Sequence, residues 1–411
     1  MKYIGLMSGT SLDAIDVALV DFSTPLPTLL ATLSKPLSSD LRTRLKAFHE
    51  PSFDEITRLG ALDHILGHQF ADAILQLLQE QGLTPKDITA VGSHGLTIRH
   101  HPQGAHPFTL QIADPNIIAT KTGITTVADF RRKDIAVKGQ GAPLAPAFHE
   151  YVFRDATKPR VIVNIGGIAN ITLLLPGQPI IGFDTGPGNC LMDVWCEQHT
   201  GKPFDQYGAW ATTGKINLPL LQTLLEDSYF ERAHPKSTGR EYFNDAWLLA
   251  KMVSDTRAND LLYNETNKHG VKHQAIPSGP FSQKEKNSTA CDPRITLLFQ
   301  KEKLQNDSSP ETIQATLLAL TATTIIKAIH QHTKMGDIIV CGGGAHNTAL
   351  MQAIQQQTAC VVASTQAYGI NPNWIEAMAF AWFAKSTLEK KPIPTVTGAT
   401  RPAVLGGVYY A

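Results

Sequence analysis

Twice in this chain an apolar, β-branched run stops at a turn of small residues and then resumes, and this grammar restricts the fold more than any other feature. Residues 3–7 and 15–22 flank SGTSLDA, and residues 160–176 read as VIVNI, a Gly-Gly turn and IANITLLL. Runs this apolar belong to strands covered on both faces, and the short polar breaks mark hairpins. A duplicated architecture of sheets covered by helices is therefore expected, and 411 residues suffice for two lobes.

Helical spacing confirms the mixed character. Leu59, Leu62, Leu66, Phe70, Ala73 and Leu77 line one face of a helix over 54–81, with Ser52 and Glu55 as a capping box and Gly82 past its end. Residues 88–93 read as a short strand closed by His94-Gly95, and 108–113 as another apolar segment. A helix is expected over 310–332, with Ser308 and Glu311 as a second capping box. A strand, a Gly turn and a helix follow from residue 337, and a last helix spans 373–387. Between them, residues 254–306 are polar and without period, which reads as an inserted surface excursion.

Lys+Arg 36 against Asp+Glu 36 gives no net charge, so the electrostatic footprint of a nucleic-acid or anionic-membrane binder is missing. A small-molecule partner fits better. Five cysteines without a C-x-x-C pair suggest neither a disulfide framework nor a thiolate metal site. The opening MKYIGLMSGTSLDAID does not match a secretory signal, so a cytoplasmic protein is expected.

Three Gly-rich turns each follow an apolar strand: SGTS after Met7, GGIAN after Ile165 and GGGAHN after Cys341. Each alone reads as an ordinary hairpin or bulge. Together, with hydroxyls at Ser8, Thr10 and Ser11 and carboxylates at Asp13 and Asp16, they favour a nucleotide's phosphates and a hydrated Mg²⁺. P-loop, Rossmann, zinc-peptidase and α/β-hydrolase signatures are absent from the sequence. Asp184, in Phe183-DTGPGN, ends an apolar strand, where it serves either as a general base or as a cap on the next helix. His94, Asp114 and Arg131-Arg132 lie at strand ends or in loops and either converge on a polar substrate or do ordinary structural work. Glu376 is the one acid on the apolar stretch of the last helix, and it either snorkels outward or faces a cleft.

Through GLMSGTSLDAID, SHGLTIRH, TLQIADP, VADFRRKD, GQGAPLAPAFH, NIGGIANIT, FDTGPGN, DQYGAWA, PKSTGREYF and IEAMAFAW, in that order, the chain resembles the anhydro-N-acetylmuramic acid kinase family of the actin, sugar-kinase and heat-shock-chaperone ATPase superfamily. The resemblance implies an α/β fold of two lobes with duplicated ribonuclease-H-like mixed sheets flanked by helices and an ATP cleft between them. It places one lobe at 1–135, completed by 385–411, and the other at 136–384. By position, Gly9, Thr10, Ser11, Leu12, Asp13, Ala14, Ile15 and Asp16 match the ATP-phosphate loop. Asn164, Gly166, Gly167, Gly342, Gly343 and Gly344 match the other nucleotide turns. Asp184 matches the base that activates water, and His94, Asp114, Arg131 and Glu376 match the sugar side. Mg²⁺ is implied through ATP and water near Asp13 and Asp16, without a direct protein ligand set.

The implied reaction is the ATP-dependent hydrolytic opening of 1,6-anhydro-N-acetylmuramic acid with phosphorylation of O6, as in peptidoglycan recycling. A non-catalytic ATP-binding amino-sugar sensor of the same fold is the alternative, and a homodimer is left open. The chain departs from the family pattern at Ala14 and Ala113, where Gly is usual, at Leu96, where Gln is usual, and at Lys138, where Gly is common. A Cβ at residue 14 requires a negative φ there.

Overall fold

The computed structural model describes residues 1–9, 12–48, 53–253 and 309–411. Thr10, Ser11, Ser52, Ser308 and the 254–306 excursion lie outside the described residues.

The fold is α/β and is built on two mixed sheets. In the first, β1 (Lys2–Ser8), β2 (Ala14–Asp21) and β3 (Thr28–Pro36) form successive antiparallel pairs, while β4 (Ala90–His101) runs parallel to β1. β5 (Phe108–Ile112) pairs with β4, and β6 (Thr126–Ala128) lies parallel to it. In the second sheet, β7 (Arg160–Ile165), β8 (Ile168–Leu174) and β9 (Ile181–Pro187) repeat the antiparallel pairs, and β10 (Asp337–Cys341) and β11 (Val361–Ser364) repeat the parallel ones. The orders β3-β2-β1-β4-β6 and β9-β8-β7-β10-β11 are the same plan used twice.

Period-two alternation sends each strand into two cores. Ile4 and Leu6 of β1 pack with Leu66 and Phe70 of the helix Glu55–Glu80, whereas Tyr3 joins a central cluster. Val161 and Val163 of β7 pack with Ile313 and Leu317 of the helix Pro310–His330, whereas Ile162 faces the centre. That helix is long and apolar enough to cross a membrane, but 83% of its apolar window is buried inside the protein, as expected of a core helix.

The central layer holds the helices Ala145–Phe153 and Ile375–Leu388, whose Phe148, Trp382 and Phe383 share one cluster with residues of both sheets. Gly5 and Gly92 sit opposite each other in the β1–β4 register. A Cβ on Gly5 would lie 1.8 Å from the Ala377 carbonyl oxygen, and one on Gly92 would lie 2.0 Å from that of Phe380. The helix backbone therefore rests directly on the sheet.

A boundary between residues 384 and 385 cuts a helix that packs on β1, β2 and β4. The chain returns to the first sheet by the start of this helix and then closes it with β12 (Gly407–Tyr409), antiparallel to β6.

Two local expectations also change. β4 does not stop at His94-Gly95, because Gly95 takes a φ of +72° and a register shift opposite β1 absorbs it inside the strand. The helix at 310 is capped by Ser309, whose side chain accepts from the Thr312 amide, with Pro310 in the first turn.

The seat gives a prediction with an internal control. Gly92→Ala has no room for its methyl and should lower unfolding free energy by about 1–3 kcal/mol or more in urea titration. Gly60→Ala, in a helix with nothing within 4 Å of the new Cβ, should raise it by up to about 1 kcal/mol.

Candidate active site

Asp184 lies in β9, the edge strand of the second sheet, and is 9% exposed. Residues 236–238 run beside it: the Asp184 amide donates to the Lys236 carbonyl at 3.2 Å, and the Thr238 amide donates to Asp184 Oδ2 at 2.9 Å. The Tyr229 hydroxyl donates to the Asp184 carbonyl at 2.8 Å. Burial pushes the Asp184 carboxyl up to about 7; the Thr238 amide opposes the rise, Glu241 adds to it, and the Lys236 ammonium opposes it. The helix-cap alternative does not describe this residue, since Asn189 occupies the cap position of the helix Cys190–Thr200.

The structure brings His94, Arg131 and Glu376 together. Arg131 Nε donates to His94 Nε2 at 2.8 Å. A guanidinium has no acceptor, so that imidazole nitrogen carries no proton, and Nδ1 donates to the Gly95 carbonyl at 3.0 Å. Burial, followed by the Arg131 charge, holds the His94 pKa well below the ordinary range, so this histidine is neutral and orients the arginine. A second Arg131 nitrogen donates to the Gly141 carbonyl at 2.8 Å. Glu376, in the first turn of the central helix, accepts from Asn164 Nδ2 at 3.0 Å. Burial raises its carboxyl, Asn164 and Arg131 counter the rise, and Asp16 adds to it. Asp114 is engaged differently: its Oδ1 accepts from the Asn116 amide at 2.8 Å and side chain at 3.0 Å, capping the helix Pro115–Thr122.

Leu12 to Ile15 lead from the β1–β2 turn into β2. Leu12 takes a φ of +61°, and its amide donates to the Gly9 carbonyl at 3.0 Å. The side chains of Leu12 and Ile15 are buried, and Ser8 Oγ donates to the Ala14 carbonyl at 2.9 Å. Ala14 opens β2 and is not among the positive-φ residues, so its methyl costs the turn nothing. Among the other Gly turns, a Cβ at Gly166 or Gly343 would meet nothing nearer than 3.7 or 3.8 Å, whereas Gly342 and Gly344 pack on Asn164 and Ile165. Gly167 lies under the Arg240 guanidinium.

Asp13 is exposed, and Asp16 accepts from Ser34 Oγ at 2.7 Å. Asp13 is felt by Asp193 of the helix Cys190–Thr200, whose carboxyl is pushed up to about 7 by burial; Arg240 opposes this, and Asp13, Asp205 and Glu197 add to it. Among the described residues no three His, Cys, Asp or Glu side chains are gathered to hold a metal ion directly, and Asp13 is related to Asp16 and to Asp193 through charge alone. Sequence reasoning assigned no role to Asp193, Lys236, Thr238 or Arg240. The segment PKSTGREYF carried the last three, but nothing in its composition says that it runs along β9.

The family model of anhydro-N-acetylmuramic acid kinase matches residues 1–266 and 276–411. An anhydro-N-acetylmuramic acid kinase of Saccharophagus degradans is 45% identical across 99% of this chain and 98% of its own length. Those of Coxiella burnetii and Shewanella putrefaciens are 43% and 44% identical across 100% of this chain and 97% and 98% of theirs. A ROK family glucokinase from Streptomyces griseus, solved with glucose and AMPPNP, superposes with a TM-score of 0.37 at 12% identity over 94% of this chain and 100% of that one, too loosely to place residues. By a family match and full-length identities of this size, the chain belongs to the anhydro-N-acetylmuramic acid kinase family.

Proposed function

We propose that the chain is an ATP-dependent kinase that opens 1,6-anhydro-N-acetylmuramic acid with water and phosphorylates O6, giving N-acetylmuramic acid 6-phosphate in peptidoglycan recycling in the cytoplasm. The observation that carries this reading is the Asp184 carboxylate, buried at the edge of the second sheet with Oδ2 tied to an amide and a titration point near neutrality. A sensor that only binds has no use for such a group, whereas a general base needs one.

In this mechanism Asp184 Oδ1 takes the proton of a water attacking the anomeric carbon. The bond from that carbon to the bridging oxygen breaks, and its electron pair stays on that oxygen, which becomes the O6 nucleophile. Arg131, fixed by His94 and Gly141, and Glu376, fixed by Asn164, orient the sugar. The open backbone at Gly166 and Gly343 and the β1–β2 turn line the phosphate path, and Asp13, Asp16 and Asp193 would hold Mg²⁺ through waters rather than as direct ligands. O6 attacks the γ-phosphorus of ATP, the bond from that phosphorus to the β–γ bridging oxygen breaks and ADP leaves, and a bound cation would supply charge neutralisation.

In ¹⁸O-labelled water the label should appear on the anomeric carbon, with the oxygen between C6 and phosphorus unlabelled. Label at the phosphate bridge would overturn the coupled opening. Because the base acts ionised, kcat/KM for the sugar should rise with pH through about 7.

Asp184→Asn should lose roughly 10²-fold or more in turnover, and near-normal turnover would remove the residue from the mechanism. Stability separates this from a structural defect. The carboxyl titrates higher folded than unfolded, so its burial costs nothing below pH ~4 and increasingly destabilises as pH rises through about 7. At pH 8 the Asn variant should therefore be more stable than the parent, by up to about 4 kcal/mol in urea titration, and at pH 4 it should show no gain.

A further inference from the structure

The loop that holds the sugar-side arginine also touches the segment that holds the base. Residues 137–141 follow the helix Phe130–Ala136 and are organised by Asp134, which is 1% exposed. Its Oδ2 accepts from the Gly141 amide at 2.7 Å, and its Oδ1 accepts from Thr395 Oγ1 at 2.7 Å and Thr397 Oγ1 at 2.9 Å. A Cβ on Gly139 would lie 2.1 Å from Asp134 Oδ2, so the loop is wrapped closely on that carboxylate. The Gln140 amide donates to the Thr397 carbonyl at 3.0 Å, which fixes the next residue as well.

A loop held in this way delivers two groups. The Gly141 carbonyl accepts from Arg131, and Gln140 Oε1 accepts from Ser237 Oγ at 3.3 Å. Ser237 stands between the two residues that bond Asp184: the Lys236 carbonyl takes the Asp184 amide, and the Thr238 amide holds Oδ2.

We propose that the Gln140–Ser237 hydrogen bond is a positioning bridge that ties the arginine's loop to the base's segment, so that Asp184 is aligned by the same framework that presents Arg131. Neither residue touches a reacting atom, and both are positioning residues. The inference rests on Asp184 being the base. A single hydrogen bond between neutral groups adds little net stability, whereas a small misplacement of a base slows chemistry strongly. Its loss is therefore read in turnover and leaves folding intact.

The test is a double-mutant cycle with 1,6-anhydro-N-acetylmuramic acid and ATP. Ser237→Ala and Gln140→Met should each lower kcat about tenfold with KM for ATP unchanged, and the double variant should be no slower than either single, since all three delete one contact. Ser237→Thr, which keeps the hydroxyl, should retain kcat. Asp184→Asn in the same assay reports on the base: if it turns over normally, that reading falls and the inference falls with it. If Asp184→Asn collapses while both single variants keep the parent's kcat, or while their losses multiply in the double variant, the bridge alone is overturned.

Discussion

The cluster of His94, Arg131 and Glu376 proposed for the sugar side depends on how closely the helix Ile375–Leu388 approaches β1 and β4. With Gly at both 5 and 92, the carbonyls of Ala377 and Phe380 occupy the space where side chains would stand. That depth lets Glu376, one residue into the helix, reach Asn164 at the end of β7 in the other sheet. It also sets the Phe380 ring 4.7 Å from the His94 ring, whose nitrogen in turn orients Arg131. A taller contact would lift the helix and separate these groups together. The same layer joins the sheets, since its apolar residues form one cluster with Tyr3 of the first and Ile162 and Ile339 of the second.

Around this frame stand carboxyl groups that burial disfavours in their ionised form. Asp184, Asp193, Asp16 and Glu376 are all raised, with desolvation the largest cause in each. Such groups cost folding energy near neutral pH and concentrate at functional sites. A cation acts against the rise at three of them: Arg131 for Glu376, Arg240 for Asp193 and Lys236 for Asp184. Lys236 is held in place by the Tyr229 and Phe230 carbonyls, each at 3.3 Å, and lies over the Tyr229 ring at 4.8 Å. A fixed ammonium there limits how far burial lifts the Asp184 carboxyl, leaving it titratable near neutral pH.

What the sequence revealed was local. The β1–β2 and β7–β8 hairpins, the Gly turns and the strand carrying Asp184 were legible because apolar runs and turn residues are adjacent in the chain. The duplication was legible because the same grammar appears twice. What escaped depends on contacts between distant residues. Thr238 reaches Asp184 across 54 positions, and Asp134 meets Thr397 across 263. No period or composition encodes those separations. Asp114 shows the opposite case: its position before Pro115 was readable both as a turn starter and as a site residue, and its hydrogen bonds to Asn116 are those of a cap.

The departures from the family pattern show what glycine supplies at each place. Ala113 and Lys138 stand where Gly is usual or common, and they take φ values of +106° and +70°. A left-handed non-glycine residue costs about 1–2 kcal/mol. Here the backbone is held by its neighbours: the Ala113 amide donates to Asp63 Oδ1 at 2.8 Å, and the Lys138 amide donates to the Ile135 carbonyl at 2.8 Å. At these two positions glycine would supply conformational freedom, which hydrogen bonds elsewhere can offset. At Gly139 and Gly95 it supplies volume, since a Cβ would lie 2.1 Å from Asp134 Oδ2 and 2.4 Å from the Ile112 carbonyl oxygen. No hydrogen bond compensates for an overlap of that size, so at Ala113 and Lys138 the chain has given up glycine where the loss is one of angle, and at Ala14 where there is no such loss.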